Sequence, residues 1–417
     1  MSPFENCINK ARVFPRNASA RKRIRAALSF TTALVAAALA APVSAAKTPP
    51  IPTLTNTAID FGLGAGAGQY SPVIGQYPTF TGQSTGVVTD PKTGNFYYSN
   101  YLGDVWAITP STDAATAKDV TIDPDYAVVY AETPKSSYVA SVITSVASQC
   151  QNFGQVNALG IDTVTQNVFV PCGGENKVFI INEATNNIVA SIPVPHPWGA
   201  AADETTGTLY VASTAPTNTI SVISEKTNTV TATIPVGNDS EYLAVDSKNK
   251  QLFVGNYGAA TLSVIDIKKG SPTLNTVKAT IPLGGAAGLA LDSKTDKLYV
   301  SDYFNTPNST VKWGSVYVID AKSLNIITNI PTPAGCNPLS AAADSAHGTV
   351  YVLCYGQNFT NGTIGLVIDE KTDTIAGTFN TLPNPLSIAL NPNTGQLLVG
   401  TNTAQMFGSV SIYNTNQ

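Results

Sequence analysis

A seven-bladed β-propeller, all-β and built from four-stranded antiparallel blades, is the fold class this 417-residue sequence predicts. Three observations predict it. A short hairpin unit recurs seven times, each unit continues into two further strand-like segments, and the chain stops one strand short of completing its last unit.

The hairpin is clearest at residues 287–302, AGLALDSKTDKLYVSD, where a small and apolar run turns through a polar stretch and returns with period-two alternation. Its turn acid recurs as Asp90, Asp162, Asp203, Asp246, Asp292 and Asp344, and as an amide at Asn391, at spacings of 72, 41, 43, 46, 52 and 47. Repeats of about 40–50 residues containing several strands read as propeller blades. The turn acids fit a capping role, accepting bonds from nearby backbone amides. Two residues before each stands Val88, Gly160, Ala201, Ala244, Ala290, Ala342 or Ala389, a small column that lets inner strands crowd the axis.

Third strands follow at Lys177-Val-Phe-Ile-Ile, Thr219-Ile-Ser-Val-Ile, Thr261–Asp266, Ser315-Val-Tyr-Val-Ile and Gly365-Leu-Val-Ile. Fourth strands end in Pro193, Pro235, Pro282 and Pro331. Proline cannot donate to a ladder, which suits the outer edge of a blade. After Asn391 the chain supplies a hairpin and a third strand, Ser409–Tyr413, and no fourth. The missing strand is expected from within Thr55–Thr79, with Thr57–Phe61 the first candidate, so that both termini share one blade. The long first spacing is read as an insertion around residues 103–154, including Val120–Tyr130; a degenerate eighth blade is the alternative.

The first residues read differently. Arg21-Lys-Arg-Ile-Arg25 precedes an apolar run from Ala26 to Ala41 and a Val43-Ser-Ala45 end, so residues 1–45 are expected to be a cleaved secretory signal of bacterial type. Residues 46–417 then form one propeller domain, periplasmic or secreted, with no transmembrane segment after cleavage. A net charge of −4, with no basic run beyond the leader, excludes a nucleic-acid partner. Two histidines and no CxxCH leave no haem site.

Four cysteines follow the leader and allow three pairings. Cys172 and Cys354 each lie ten residues after a turn acid, and Cys150 and Cys336 lie shortly before first strands. The start of a first strand and the end of a second share one rim, so Cys150–Cys172 and Cys336–Cys354 are expected. The spacing is not that of a thiolate metal site.

Aligned in this way, Leu209-Tyr-Val-Ala-Ser, LSVID at Leu262–Asp266, Lys226-Thr-Asn228, Thr233-Ile-Pro-Val-Gly237 and Lys371-Thr-Asp373 resemble the YVTN family of β-propeller repeats. The resemblance covers residues 155–417 well and 86–99 in part. It implies a secreted or surface-layer propeller with no shared catalytic motif. Seven-bladed relatives of lactonase type imply an enzymatic alternative, in which carboxylates such as Glu175, Asp239, Glu241 and Asp302 would hold Ca²⁺ at the axis. The third alternative is a structural surface component.

Candidate site residues come from the rim. Tyr101, Tyr257, Tyr303 and Tyr355 recur just after second strands, Asn256 and Asp302 flank two of them, and His196 and Trp198 precede the third hairpin. Such rings with adjacent polar groups suit a small molecule, a glycan or an envelope protein. No catalytic residue, metal ligand or cofactor is assigned. His347 lies on the opposite face as a surface residue. Asn238-Asp-Ser, Asn308-Ser-Thr, Asn358-Phe-Thr and Asn361-Gly-Thr match the glycan acceptor pattern and are read as loop composition.

Overall fold

The computed structural model describes residues 49, 51–60, 84–100, 105–110, 138–142, 150, 158–303, 314–356, 362–402 and 408–415. Within them every regular element is a strand, and the strands form seven four-stranded antiparallel sheets. Blade 1 comprises Ser84–Thr89, Phe96–Asn100, Val105–Pro110 and Tyr138–Val142. The inner strands of blades 2 to 6 are Gly160–Asp162, Pro197–Asp203, Ser240–Asp246, Ala286–Asp292 and Pro338–Asp344. Their outer strands are Asn187–Pro193, Thr229–Pro235, Thr276–Pro282, Ile326–Pro331 and Thr374–Asn380. Blade 7 holds Pro385–Asn391, Gln396–Asn402 and Gly408–Asn414, and takes Thr53–Asp60 as its outer strand. Each inner strand neighbours those of the adjacent blades, and the inner strand of blade 1 meets those of blades 2 and 7, which closes the ring.

Closure pairs Thr53 with Asn414 and Asp60 with Ser409, antiparallel. The strand therefore begins two residues before the expected window and overlaps the first candidate at Thr57–Asp60; Phe61 lies outside the described residues. Blade 1 completes itself with Tyr138–Val142, which pairs with Val105–Pro110. The added residues thus fall between its third and fourth strands, and seven blades account for every described strand. Val120–Tyr130, the leader at 1–45 and the acceptor motifs at Asn308, Asn358 and Asn361 lie outside the described residues.

The middle strands are buried on both faces, as at Gln251–Asn256 and Thr349–Cys354, because each blade is sandwiched between two others. Alternate side chains serve opposite seams. Phe253 packs toward blade 5, while its neighbours Leu252 and Val254 pack toward blade 3. Only the outer strands alternate exposed and buried, as in Asn187–Pro193. Their prolines sit last and pair with the first residue of the third strand, Thr219 with Pro235 and Thr261 with Pro282. A register shift interrupts outer-strand pairing in each of blades 2 to 6, which blunts the exposed edges.

The repeated acid caps its turn in all seven blades. Asp162 Oδ1 accepts from the amides of Val164 and Thr165 at 2.7 and 2.9 Å, and Asn391 Oδ1 accepts from Asn393 at 3.0 Å. Four residues on, every turn enters the left-handed region, from Gln166 at φ 54° to Gly94 at 78°. Gly207 at this position has no atom within 4 Å of a built Cβ, so its backbone angle alone favours glycine. Both disulfides form as the repeat frame suggests, Cys150–Cys172 with Cα atoms 5.9 Å apart and Cys336–Cys354 with 4.6 Å.

On this turn face three seams carry a carboxyl pair. The glutamate after a third strand (Glu183, Glu225, Glu370) meets the turn acid of the preceding blade (Asp90, Asp162, Asp292). Burial, then the bond and charge of the facing aspartate, push each glutamate up to about 8. For Glu225 burial and Asp162 act likewise, with Glu204 adding and Thr165 opposing. The seam of blades 4 and 5 uses an amide instead: Gln251 Nε2 donates to Asp246 Oδ2 at 3.0 Å and to the Ala321 carbonyl. His347 is half-exposed and pairs with its own turn acid, Nδ1 to Asp344 Oδ2 at 2.7 Å.

Candidate functional site

The opposite face forms the channel mouth, where inner strands begin and second strands end: Ser240 pairs with Asn256, Ala286 with Asp302 and Pro338 with Cys354. Here the register shifts in blades 1 and 3 to 7. A bulge leaves an unpaired residue and re-aims its side chain, and bulges are over-represented next to functional sites. The bulge position lies five residues before the turn acid. Trp198, Ala287, Leu339 and Leu386 occupy it in four blades, all buried, as the apolar surroundings demand. Blade 4 places Glu241 there, 1% exposed.

Burying a carboxyl among apolar groups is costly unless it is paired. Glu241 Oε1 is buried and has no hydrogen-bond partner. Burial first, and then the charge of Asp239, push its carboxyl up to about 8. The next residue, Tyr242, is also out of pattern. Its counterparts four residues before the turn acid are Gly86, Gly199, Gly288, Ser340 and Ser387. Inner strands approach closely at this point: a Cβ on Gly199 would stand 2.2 Å from the Glu241 carbonyl oxygen, and one on Gly288 the same distance from that of Leu339. A tyrosine side chain must therefore run over the neighbouring blade, whose entry Gly284-Gly-Ala-Ala-Gly288 is small. Tyr242 feels the Glu241 carboxyl, Tyr355 of blade 6 and Tyr303 of blade 5, and with burial as the largest cause its phenol is held well above the ordinary range. Its side chain is nevertheless partly exposed, as a ring in a narrow mouth would be: protein surrounds it, and solvent still reaches it.

Of the rim residues expected from the sequence, Tyr257, Tyr303 and Tyr355 come together around this pair. They occupy equivalent places, their amides donating to the carbonyls of Asp239, Gly285 and Asn337 at 2.8, 3.1 and 3.0 Å. The Tyr257 and Tyr303 rings lie 6.3 Å apart at 51°, and the Tyr303 hydroxyl donates to the Gly356 carbonyl of blade 6 at 3.4 Å. All three are buried, so much of their bulk packs blade against blade. Burial, Tyr303, Glu241, Tyr242 and Asp239 together hold the Tyr257 hydroxyl far above its usual range.

The remaining residues are distributed otherwise. Asn256 is buried and turns into its own hairpin, Nδ2 donating to Ser263 Oγ at 2.9 Å and Thr261 Oγ1 at 3.1 Å. Asp302 accepts from the Gly285 amide and from Ser315 Oγ at 3.4 Å, clamping the entry to blade 5. Burial raises its carboxyl to about 6, with those two donors opposing. Trp198 is buried at the bulge of blade 3. His196 is exposed with φ 44°, its amide donating to Asn176 Oδ1 at 2.8 Å. Tyr101 lies outside the described residues. Among the described residues no group of three or more His, Cys, Asp or Glu side chains is placed to hold a metal ion.

Glu241 is one of four rim acids in the sequence, and Tyr242 carries no motif. Both stand out once blades are aligned on the turn acid and positions four and five before it are compared: the one acid in a column that is apolar from blade 3 onward and holds Thr85 and Asn157 before it, and one ring in a small column.

The fold and mouth define a seven-bladed β-propeller with a buried acid and a tyrosine cluster at one end of its channel. No protein-family model matches the chain, and no curated protein matches it. Among solved structures 1556 chains match, as befits so widespread an architecture. One is a chain of Kuenenia stuttgartiensis hydrazine synthase, 14% identical, covering 80% of this chain and 96% of that one, with a TM-score of 0.58. At that identity the likeness is one of fold.

Proposed function

We propose that this chain is an exported propeller of YVTN type that binds a ligand at the mouth formed by blades 4 to 6. The observation that carries the reading is Glu241, a buried carboxyl with an unpartnered oxygen at a bulge that blades 3, 5, 6 and 7 fill with apolar side chains and blade 1 with Thr85. A group that lowers stability without a structural return is what a binding site retains. Export is supported by the basic and apolar leader pattern and by two disulfides, which persist in oxidising compartments.

The test uses Glu241→Leu, the residue type of blades 6 and 7. Removing an unpaired buried carboxyl should stabilise the fold by about 1–3 kcal/mol. A library of glycans, peptides and small metabolites is then screened by thermal shift on both proteins, since a ligand of the folded state raises its melting point by mass action. The reading expects compounds that shift the wild type and leave the variant unmoved. Compounds that shift both equally, or a variant less stable than wild type, contradict it.

A further inference from the structure

Among the described residues of blades 4 to 6, charge is segregated between the two faces. Lys248, Lys250 and Lys294 occupy hairpin turns on the face away from the mouth, Lys297 begins a second strand there, and Lys268, Lys322 and Lys371 follow third strands on that same face. At the mouth the described residues of these blades supply carboxyls, Asp239, Glu241 and Asp302, and no lysine or arginine. The partners of those carboxyls are neutral. Asp239 accepts from Thr214 Oγ1 at 3.3 Å and from Asn238 Nδ2 at 3.1 Å, Asp302 from Gly285 and Ser315, and Glu241 Oε1 from nothing. Beside Glu241 stand the rings of Tyr242 and Tyr257, with Tyr303 and Tyr355 around them.

Taking the ligand site proposed above as given, we infer that its ligand is an organic cation, an ammonium group or quaternary amine seated against the tyrosine rings with Glu241 as its counter-charge. A ring face attracts a cation through its quadrupole, and more strongly where water is displaced. An anionic ligand would meet Asp239 and hold Glu241 in its protonated form, whereas a cation gains a counter-charge once that proton leaves.

The chemistry carries a proton signature. Glu241 is faced by Asp239 from its own entry loop, by Tyr242 beside it in sequence and by Tyr257 from the second strand, with no base among them. With its carboxyl at about 8 it is mostly protonated at neutral pH. A bound cation favours the ionised form, so the proton passes to buffer and up to one is released per site.

The probes are tetramethylammonium and choline, with 3,3-dimethylbutan-1-ol as the uncharged isostere of choline, titrated calorimetrically in buffers of different ionisation enthalpy. Both cations should bind with proton release, their affinity rising up to about tenfold per pH unit between 6 and 8. Glu241→Gln keeps the shape and a neutral group, so it should fold normally and bind choline weakly with no pH dependence. Tyr242→Leu should weaken choline more than any effect on melting. Equal binding of choline and its isostere, or pH-independent binding unchanged in Glu241→Gln, overturns the cation while leaving the site. Absence of cation binding up to 10 mM also overturns it. The site itself then stands or falls on whether any library compound distinguishes wild type from Glu241→Leu.

Discussion

Raising the pH from 5 to 8 should loosen the ring at three seams. Glu183, Glu225 and Glu370 have carboxyls raised to about 8 against an ordinary value of 4.5. For an acid raised on folding, the native state binds the extra proton between these values. Its stability contribution is complete below about 4.5 and is lost as pH climbs toward 8. The ceiling for one group is about 5 kcal/mol, from roughly 1.4 kcal/mol per pH unit over 3.5 units. Glu183 and Glu370 are buried, and Lys92 and Lys297 stand near two of the pairs and oppose the shift. The effective dielectric even at buried sites is well above that of a dry interior, which reduces the figure to about 2 kcal/mol per seam. Acids held low oppose the trend only at the other end: the contributions of Asp203, Asp266 and Asp320 are present above about 4 and vanish below it. Stability should therefore peak near pH 4–5. The variant Glu183→Gln/Glu225→Gln/Glu370→Gln tests the cause, because an amide can donate to the facing aspartate as Gln251 does to Asp246. Melting followed from pH 4.5 to 9 should fall by roughly 10 °C in the wild type and far less in the variant. A wild-type melting point that rises from pH 5 to 8, or equal slopes in both proteins, refutes the reasoning.

Other perturbations follow from the same geometry. Cys336→Ser/Cys354→Ser opens a loop of 18 residues and should cost about 3 kcal/mol, read as a reduced midpoint in urea. Gly207→Ala, forced into φ 60°, should cost about 1 kcal/mol on the same assay, although no atom lies near the added methyl. Asp296 joins Lys248 and Lys322, each at 2.8 Å, and Asn249 at 3.0 Å; because both lysines are well exposed, Asp296→Asn should cost only about 0.5–1 kcal/mol, and less in high salt. Removing residues 1–60 takes away the strand that pairs with Gly408–Asn414, whereas removing 1–48 leaves it. Hydrogen exchange should show blade 7 losing protection in the first case alone.

The architecture was legible because each blade repeats the same local chemistry. An Asx-capped turn, a left-handed residue four positions on and a terminal proline are local signals, and the period assembles them into blades. The same frame placed the cysteines, since Cys172 and Cys354 hold one blade position. The closing strand was harder, because a lone segment has no repeat partner upstream; only the missing fourth strand of blade 7 called for it. The site was half legible. The tyrosines after second strands mark the right rim, but their burial depends on the next blade's inner strand, which no local pattern reveals. Asn256 and Asp302 read as rim groups, yet their partners lie within their own blades, Ser263 on the third strand of blade 4 and Gly285 at the entry to blade 5. Glu241 was legible as one of four rim acids but its burial was not, and Tyr242 stayed hidden, because a bulge breaks the period-two pattern that strand reading relies on; both stand out only by comparison across blades.

The most direct test of the account is the carboxyl titration of Glu241, followed by carbon-13 NMR in protein labelled at glutamate and assigned with Glu241→Gln. An apparent value near 8 in the free protein, moving down when choline is added, is the result the account requires. Titration in the ordinary carboxylate range, with no response to choline, would mean that Glu241 is solvated and paired, and that the mouth of blades 4 to 6 is packing without a ligand.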